Sequence, residues 1–336
     1  MKFSLHAITG ARARYRRRTV LTAAAALVCT ASGAFAQNYP SQRIRLIVGF
    51  PSGTAPDFVA RAIAPKLQQQ LGVSIVVDNK PGAAGMIAAG ELLRAAPDGY
   101  TLFLGNASDL SITPQTYRKP PFFAPRDFMP VSMVSSTDFV LVTNPQTPAS
   151  GLKDYLEWAG SKQPLLMGTF GAGSIAHFGA TTFGTAVKLP IETIHYRSTA
   201  DAVVGGINGD VHGLFITPAL ALPQVKAGKL KAIASTGADR STAFPDTPTL
   251  KEQGHPDVEF YAWFGVVAPA KTPDDVLDKL NAAVVSAAKM PDVKLKLEEA
   301  GMRVSGTSRE EFARVIQEDT TRWGKVIAAT GFKADE

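Results

Sequence analysis

Two glycine-rich segments, one in each half of the chain, come directly after short apolar runs and directly before runs with helical spacing. Residues 49–54 follow the apolar residues 44–48, and residues 168–174 follow residues 165–167. Each pattern predicts a loop between a strand and a helix start. N–H groups at a helix start have no intrahelical partner and carry partial positive charge, so they attract anions. Two such loops predict a cleft that closes on a carboxylate or a phosphate group.

The first 36 residues have the pattern of a secretory signal rather than of a folded segment. Five arginines fall within residues 12–18, residues 19–30 are rich in alanine, and residues 34–36 form a small-x-small cleavage site. The apolar stretch is too short to span a membrane. The last two arginines also fit a twin-arginine signal, so Sec and twin-arginine export both stay open. We expect cleavage after Ala36, a periplasmic mature protein and no membrane insertion of that protein.

The charge of the mature chain argues against nucleic acid or a membrane surface as its partner. The full sequence has 35 basic and 29 acidic residues, but residues 1–36 hold six of the basic residues and no acid. The mature chain therefore has no basic excess.

The only cysteine, Cys29, leaves with the signal, which excludes disulfides and a thiolate site. The four histidines of the mature chain are at positions 177, 195, 212 and 255 and lack metal-ligand spacing, so we expect neither a metal nor a cofactor.

Strand and helix patterns alternate along the mature chain, which predicts an α/β fold built on parallel strands. The chain beyond the signal is long enough for two domains. Thr272 and Pro273 are expected to be the N-cap and first residue of one helix, and Ser308 with Glu311 to form the capping box of another. Residues 131–142 are a candidate crossover between domains. We expect strands at 44–50, 73–77, 101–104, 165–168, 193–196, 214–216, 230–234 and 264–268, and helices at 56–71, 85–96, 152–160 and 174–187.

A set of short motifs in a fixed order resembles a known family. The motifs are Tyr39-Pro40 and residues 50–57, 79–85, 97–102, 127–131, 171–174 with His177, 227–230, 248–250 and 268–273. With them the chain resembles the periplasmic solute receptors of tripartite tricarboxylate transporters, also called Bug-type receptors. Each motif alone is weak, but the ordered set is specific and covers essentially all of the mature chain.

The resemblance implies a two-domain type 2 periplasmic binding protein, or Venus flytrap, with a ligand cleft between the domains. We expect one domain to contain residues 37–140 and 262–336, and the other residues 141–261. Such receptors hold a small carboxylate through backbone N–H groups and hydroxyls of both loops, often through water. The resemblance therefore implies a di- or tricarboxylate or an aromatic carboxylate as ligand, permease subunits as partners, a monomeric receptor and no catalysis.

The predicted ligand site combines the residues that match the family's loops with residues that follow other predicted strands. Loops at the carboxyl ends of parallel strands are where open α/β sheets bind ligands. The predicted site residues are Pro51, Ser52, Gly53, Thr54, Asp57, Asn106, Ser108, Asp109, Thr169, Gly171, Gly173, Ser174, His177, Arg197, Ser198, Thr199, Ile216 and Thr217.

Several of these residues have a structural alternative. Thr54 either contacts the ligand or is only a helix N-cap, whereas Ser174 is expected both to cap its helix and to offer its N–H to the ligand. Asp57 cannot contact a carboxylate without an intervening proton, water or ammonium group, so it either orders water or caps helix N–H groups. His177 either contacts the ligand or stabilises the loop. Asp109 either recognises a ligand amine or hydroxyl or is a solvated loop acid.

Residues in the second half bear on the kind of ligand. Arg197 either clamps a second carboxylate with its planar guanidinium or forms a surface or interdomain salt bridge. Ser198 and Thr199 are candidate hydroxyl donors. Gly205 and Ile216 stand where the family often has acids. We expect Ile216 to make the cleft wall apolar, which favours a ligand with an aromatic or aliphatic body over a small amino acid.

Two other functions are alternatives to a transport receptor. A periplasmic hydrolase finds little support, because the mature chain has no Gly-x-Ser-x-Gly elbow, no cysteine and no metal-ligand spacing. Gly49 and Gly53 also fail to complete a dinucleotide-binding motif. A ligand sensor for a membrane kinase would bind the same ligand, and the sequence does not separate it from a transport receptor.

Overall fold

The computed structural model describes residues 39–334, so the predicted signal and its cleavage site lie outside the described residues. Among the described residues, no helix has both the length and the apolar character that crossing a bilayer requires. The strands in this part of the chain are β1 Ile44–Val48, β2 Ile75–Asn79, β3 Thr101–Asn106, β4 Phe128–Asp138, β5 Val140–Thr143, β6 Leu165–Thr169, β7 Ile191–His195, β8 Gly213–Ile216, β9 Lys231–Ser235, β10 Tyr261–Pro269 and β11 Arg303–Val304.

The α-helices connect these strands and cover the sheets. They are α1 Ala55–Leu71, α2 Met86–Leu93, α3 Ala124–Asp127, α4 Leu152–Gly160, α5 Ile175–Val187, α6 Thr199–Asn208, α7 Pro218–Lys226, α8 Asp274–Lys289, α9 Pro291–Glu299 and α10 Arg309–Thr330. Short 3-10 turns cover Ala83–Gly85, Thr113–Thr116 and Pro256–Val258, and a π-helical turn covers Ser108–Ile112. The predicted alternation of strands and helices is confirmed.

The strands form two sheets. The first has the order β11-β4-β10-β3-β1-β2, and the second has the order β7-β6-β8-β5-β9. Strand β1 is parallel to β2 and β3, and β6 is parallel to β7 and β8. The carboxyl ends of these parallel strands therefore lie at one edge of each sheet, where the loops that follow them meet.

Neither sheet is parallel throughout, which corrects the sequence-based expectation. Strand β10 pairs antiparallel with β3 and β4, and β5 pairs antiparallel with β8 and β9. The cause is the path of the chain. It leaves the first sheet along β4, enters the second sheet as β5 and returns as β10, so β10 runs against β3 and β5 runs against β8.

Only Phe139 separates β4 from β5, and residues 259–260 precede the return strand β10. The two sheets are thus joined by two short connections, here called the outward connection at Phe139 and the return connection at Phe260. The domain limits given above, 37–140 with 262–336 and 141–261, stay a prediction.

The apolar core extends beneath both sheets. One cluster of buried side chains includes Ile47 and Phe103 from the first sheet and Leu165 and Phe215 from the second. A second cluster, which contains Ile216, lies within the second sheet and its helices. Ile216 has no exposed surface, so the expectation that it forms a cleft wall is wrong. The last residue of β8 packs inward because its strand is covered by helices.

Helix starts test the capping predictions directly. Ser308 accepts a hydrogen bond from the Glu311 N–H, and the Glu311 carboxylate accepts one from the Ser308 N–H, which confirms the capping box. The prediction at α8 is wrong by one residue. Pro273 has ψ 145° and is itself the N-cap, and the Thr272 hydroxyl donates to the Pro269 carbonyl and accepts no hydrogen bond from the helix.

Candidate functional site

The first glycine-rich loop joins β1 to α1 and is largely exposed. Thr54 occupies the N-cap position of α1 with extended backbone angles, φ −78° and ψ 165°. Its hydroxyl donates to the Pro51 carbonyl at 2.7 Å and makes no cap hydrogen bond to the helix. Gly53 has φ +83°, a left-handed conformation that glycine adopts without strain. This geometry brings the Gly53 N–H to the first turn of α1.

Asp57 in that first turn binds the loop to the helix. Its carboxylate accepts hydrogen bonds from the Gly53 N–H at 2.9 Å, the Ser52 hydroxyl at 3.2 Å, the Asn79 amide at 2.9 Å and the Arg61 guanidinium at 2.9 Å. Burial alone would raise the pKa of Asp57, but these donors outweigh it and lower the pKa to about 2. Asp57 is therefore ionised and fully engaged in structural hydrogen bonds. A ligand carboxylate must displace it from Gly53 or bind through other groups of the loop.

The second loop, between β6 and α5, repeats this geometry. Ser174 is the N-cap of α5 with φ −79° and ψ 165°, and Gly173 before it has φ +75°. The Ser174 side chain accepts from the His177 N–H at 3.3 Å, so the predicted cap is confirmed. The Gly173 N–H donates to Nδ1 of His177 at 3.0 Å. His177 thus stabilises the loop through its ring, which is the structural one of the two interpretations given for this residue.

The two loops correspond position by position. Gly53 and Gly173 share left-handed backbone angles, and each donates its N–H to the residue four positions later. The chemical difference lies in that acceptor, which is the anion Asp57 in the first loop and His177 in the second. Because the first turn of α5 contains no acidic residue, the partial positive charge at its start is not offset. The second loop is therefore the more favourable place for an anionic group.

His177 is neutral over the ordinary pH range. Burial, together with the neighbouring His195, lowers its pKa to about 4. Its ring stacks on Phe178, with centroids 4.7 Å apart, and contacts the edge of the His195 ring at 4.7 Å. The Thr169 hydroxyl lies 2.6 Å from Nδ1 of His195, so this buried hydroxyl is already paired within the protein. Phe332 completes the set of rings around His177.

The residues after β3 form a closed hydrogen-bonded unit. The Asp109 carboxylate accepts from the Asn106 N–H at 2.7 Å and the Asn106 amide group at 3.1 Å. The Asn106 side-chain oxygen accepts from the Ser108 N–H at 2.8 Å. Asp109 has no exposed surface, and burial raises its pKa well above the usual value. It is thus not a solvated loop acid, which corrects that interpretation.

The remaining predicted site residues follow β7 and β8. Ser198 is the N-cap of α6, accepting from the Asp201 N–H at 3.1 Å and donating to the Asp201 carboxylate at 2.8 Å. Thr199 is the first residue of that helix. Arg197 is exposed, and no ion pair involves it within residues 39–334. Thr217 is the half-buried N-cap of α7. These residues lie at the edge of the second sheet where the second loop lies, but the ligand-contact role of each site residue stays a prediction.

One segment near the first loop was not among the predicted site residues. Gly82, Ala83, Ala84 and Gly85 have consecutive positive φ angles of 138°, 46°, 50° and 91°. A Cβ placed on Gly49 would lie 2.9 Å from the Gly85 Cα, so this segment touches the start of the first loop. Positive φ is uncommon for alanine and often accompanies functional sites. The run of small residues after Pro81 was the available sequence signal.

The structure also contains a cavity of about 660 Å³ in the second half, lined by residues such as Leu222, Phe244 and Pro245. None of the predicted site residues lines it. Among residues 39–334, no group of three or more histidine, cysteine or acidic side chains is arranged to hold a metal. Each of the two loops places backbone N–H groups and a hydroxyl at a helix start, which is the chemistry of an anion-binding site.

Comparison with known proteins assigns the family. The model of the tripartite tricarboxylate transporter family receptor matches residues 59–332, and the chain belongs to this family of receptors, which are not enzymes. Protein BugT of Bordetella pertussis is 32% identical over 304 residues, which cover 89% of this chain and 92% of BugT. The family expected from the sequence motifs is confirmed.

Solved structures with the same fold include receptors that hold ligands. MatC from Rhodopseudomonas palustris, solved with bound malate, is 29% identical with a TM-score of 0.73, and the match covers 86% of this chain and 100% of MatC. Rpa4515 of R. palustris, solved with adipate, is 29% identical with a TM-score of 0.76, and the match covers 88% of this chain and 99% of Rpa4515. The expected periplasmic binding protein fold is confirmed.

Proposed function

We propose that this chain is an extracytoplasmic receptor for a small organic carboxylate, which it binds between its two halves and delivers to the permease subunits of a tripartite transporter. The observation that carries the proposal is the pair of equivalent strand-Gly-helix loops, one following each sheet's parallel strands. The malate and adipate held by MatC and Rpa4515 support a carboxylate as the ligand class. In this proposal the protein works as a monomer, exported by the Sec or twin-arginine route and cleaved after Ala36.

The charges at the two loops support a particular mode of binding. Asp57 already offsets the start of α1, whereas the start of α5 has no acidic residue in its first turn. One carboxylate of the ligand then binds at the second loop through N–H groups and the Ser174 hydroxyl. The first loop, with its exposed Ser52 and Gly53, closes on the rest of the ligand. A dicarboxylate, a tricarboxylate and an aromatic carboxylate all satisfy this arrangement.

Binding is tested on the purified protein without its signal. Thermal-shift measurements with malate, adipate, citrate and benzoate, with spermidine and glucose as contrasts, identify the ligand class. A ligand that binds only the folded state stabilises it by about 2.7 kcal/mol at a hundredfold excess over the dissociation constant. We expect a concentration-dependent shift with at least one carboxylate. A shift with spermidine or glucose and none with any carboxylate would contradict the proposal.

A matched pair of variants separates binding from stability. Ser174→Ala and Ser308→Ala each remove an N-cap hydroxyl, which costs about 1 kcal/mol of stability in either case. Only Ser174 lies at the second loop, so only Ser174→Ala should weaken carboxylate binding, by about tenfold in the dissociation constant. Isothermal titration calorimetry with the carboxylate that shifts the wild type makes the comparison. Equal affinities of the two variants for the carboxylate would show that the Ser174 hydroxyl does not contact the ligand.

A further inference from the structure

The C-terminal tail, residues 331–334, connects the two halves of the molecule. Helix α10 ends at Thr330, and the next residue, Gly331, has a φ of +66° that turns the chain away from the helix axis. The Phe332 N–H then donates to the Thr330 hydroxyl at 3.2 Å, and the Ala334 N–H donates to the Thr116 carbonyl at 2.9 Å. Thr116 belongs to the 3-10 turn that follows β3, so the end of the tail is bonded to the half that contains the first sheet.

The side chain of Phe332 reaches the other half. Its ring meets the His177 ring edge-on, with centroids 5.2 Å apart at 84°, and the Phe178 ring at 5.7 Å and 76°. It also lies against the second loop, because a Cβ placed on Gly173 would be 3.3 Å from the Phe332 ring. Residues 331–334 thus bond to Thr116 on one side and pack on the second loop on the other.

His177 links this packing to the loop backbone. Its Nδ1 accepts the Gly173 N–H only while the ring keeps its present orientation. Phe178, His195 and Phe332 surround that ring, and Phe332 is the member supplied by the tail. Edge-to-face pairs of this kind stabilise the packed arrangement beyond what the burial of the rings contributes. Removal of the Phe332 ring leaves one side of the imidazole without a neighbour and weakens the hydrogen bond that shapes Gly173.

We infer that the tail is a tether between the two halves and that Phe332 is a positioning residue for the second loop. The tether holds Gly173 and the start of α5 in their binding geometry and keeps them close to the 3-10 turn after β3. It thereby favours the closed arrangement in which a ligand is retained. This inference rests on the proposed receptor function for the effect on the ligand, but the effect on the loop is independent of any ligand.

Hydrogen exchange of the unliganded protein tests the loop directly. The measurement follows peptides that span residues 170–176 in the wild type, Phe332→Ala, Phe332→Tyr and Lys333→Ala. We expect about tenfold faster exchange in Phe332→Ala. Phe332→Tyr, which keeps the ring, and Lys333→Ala, which alters the exposed neighbour in the same tail, should exchange as the wild type does. Unchanged exchange in Phe332→Ala would overturn the inference. If that variant does not fold, Phe332→Leu is measured with the same expectation.

The dissociation rate of bound adipate supplies the second readout. Phe332→Ala should release adipate about tenfold faster than the wild type, with little change in the association rate, because the tether acts on the closed state. Ala334→Pro removes the N–H that bonds to Thr116 and should act in the same direction. A wild type that binds no carboxylate counts against the proposed function, whereas the exchange result still decides the role of the tail.

Discussion

Single residues decide the electrostatic character of the two loops. Gly53 and Gly173 occupy equivalent positions, but the group that accepts their N–H is an ionised Asp57 in one loop and a neutral His177 in the other. The negative charge of Asp57 is offset by the guanidinium of Arg61 and by the partial positive charge at the start of α1. His177 adds no charge, so the start of α5 keeps its attraction for an anion. Two loops of the same shape therefore differ in what they bind best.

The low pKa of His177 predicts how stability depends on pH. In the folded protein this pKa is about 4, against an ordinary value of 6.5. As the pH falls below 6.5 the unfolded chain gains this proton, whereas the folded protein gains it only near pH 4. The contribution of His177 to stability is therefore complete above pH 6.5 and is lost between pH 6.5 and pH 4. At pH 5 the loss amounts to about 2 kcal/mol.

Urea unfolding of the wild type and His177→Gln at pH 8, 7 and 5 measures this effect. The glutamine side chain can accept the Gly173 N–H but does not titrate, so the variant should lose about 2 kcal/mol less than the wild type between pH 7 and pH 5. Asp138, whose pKa burial raises to about 6, contributes with the opposite sign and is present in both proteins. The same pH slope in both proteins would show that His177 titrates normally.

At the scale of elements, helix α5 connects the second loop to the return connection. Gly179 lies in α5, and a Cβ placed there would be 2.5–3.0 Å from atoms of the Phe260 ring. Phe260 is buried and also packs against Phe139 and Phe215, so it has no room to move. The close approach of α5 to the return connection therefore requires glycine at this position.

Gly179→Ala is expected to destabilise the protein by about 1–3 kcal/mol, because the added methyl group overpacks the Phe260 ring. Alanine ordinarily stabilises a helix relative to glycine by about 0.5–1 kcal/mol, so the expected sign is the reverse of the helix propensity. Gly160→Ala at the end of α4 is the control, since a Cβ there meets nothing within 4 Å. Chemical denaturation gives the free energy of unfolding of both variants and tests this prediction. A stabilised Gly179→Ala would mean that α5 and Phe260 separate freely.

At the scale of the whole molecule, Thr236 joins the two connections between the sheets. Its hydroxyl accepts from the Phe139 N–H at 3.0 Å and donates to the Phe260 carbonyl at 2.6 Å. Its backbone N–H donates to the Phe139 carbonyl and its carbonyl accepts from the Phe260 N–H. All these groups are buried. Movement of one half against the other must therefore pivot around this residue or break its hydrogen bonds.

Thr236→Val keeps the shape of the side chain but leaves the Phe139 N–H and the Phe260 carbonyl without this partner. We expect a loss of about 2 kcal/mol in the free energy of unfolding, because unpaired buried polar groups are costly. Thr182→Val is the control. It removes only a hydroxyl that bonds back to the Phe178 carbonyl within α5, and should cost less than about 1 kcal/mol. Similar losses in the two variants would argue against a special role for Thr236 at the connections.

Much of the fold was predictable from short stretches of sequence. The capping box at Ser308, the cap at Ser174 and the strand-loop-helix units all depend on residues within a few positions of each other. Such patterns carry their own physical cause, because periodicity and capping are local properties of the backbone. The ordered motifs were sufficient for the family as well.

Tertiary structure alone decided which distant groups meet. Ile216 was expected in a cleft wall and is buried in the core, and Asp109, for which a solvated position was one interpretation, is enclosed with Asn106. The approach of Phe332 to His177, far apart in the chain, has no local signal at all. Periodicity shows that a face is buried but not what buries it, since that depends on how sheets and helices pack. The sequence by itself determined the capped helix starts, the strand-loop-helix units and the family, because these depend on nearby residues or on ordered motifs, whereas packing determined the charge states, the pivot and the tail contact.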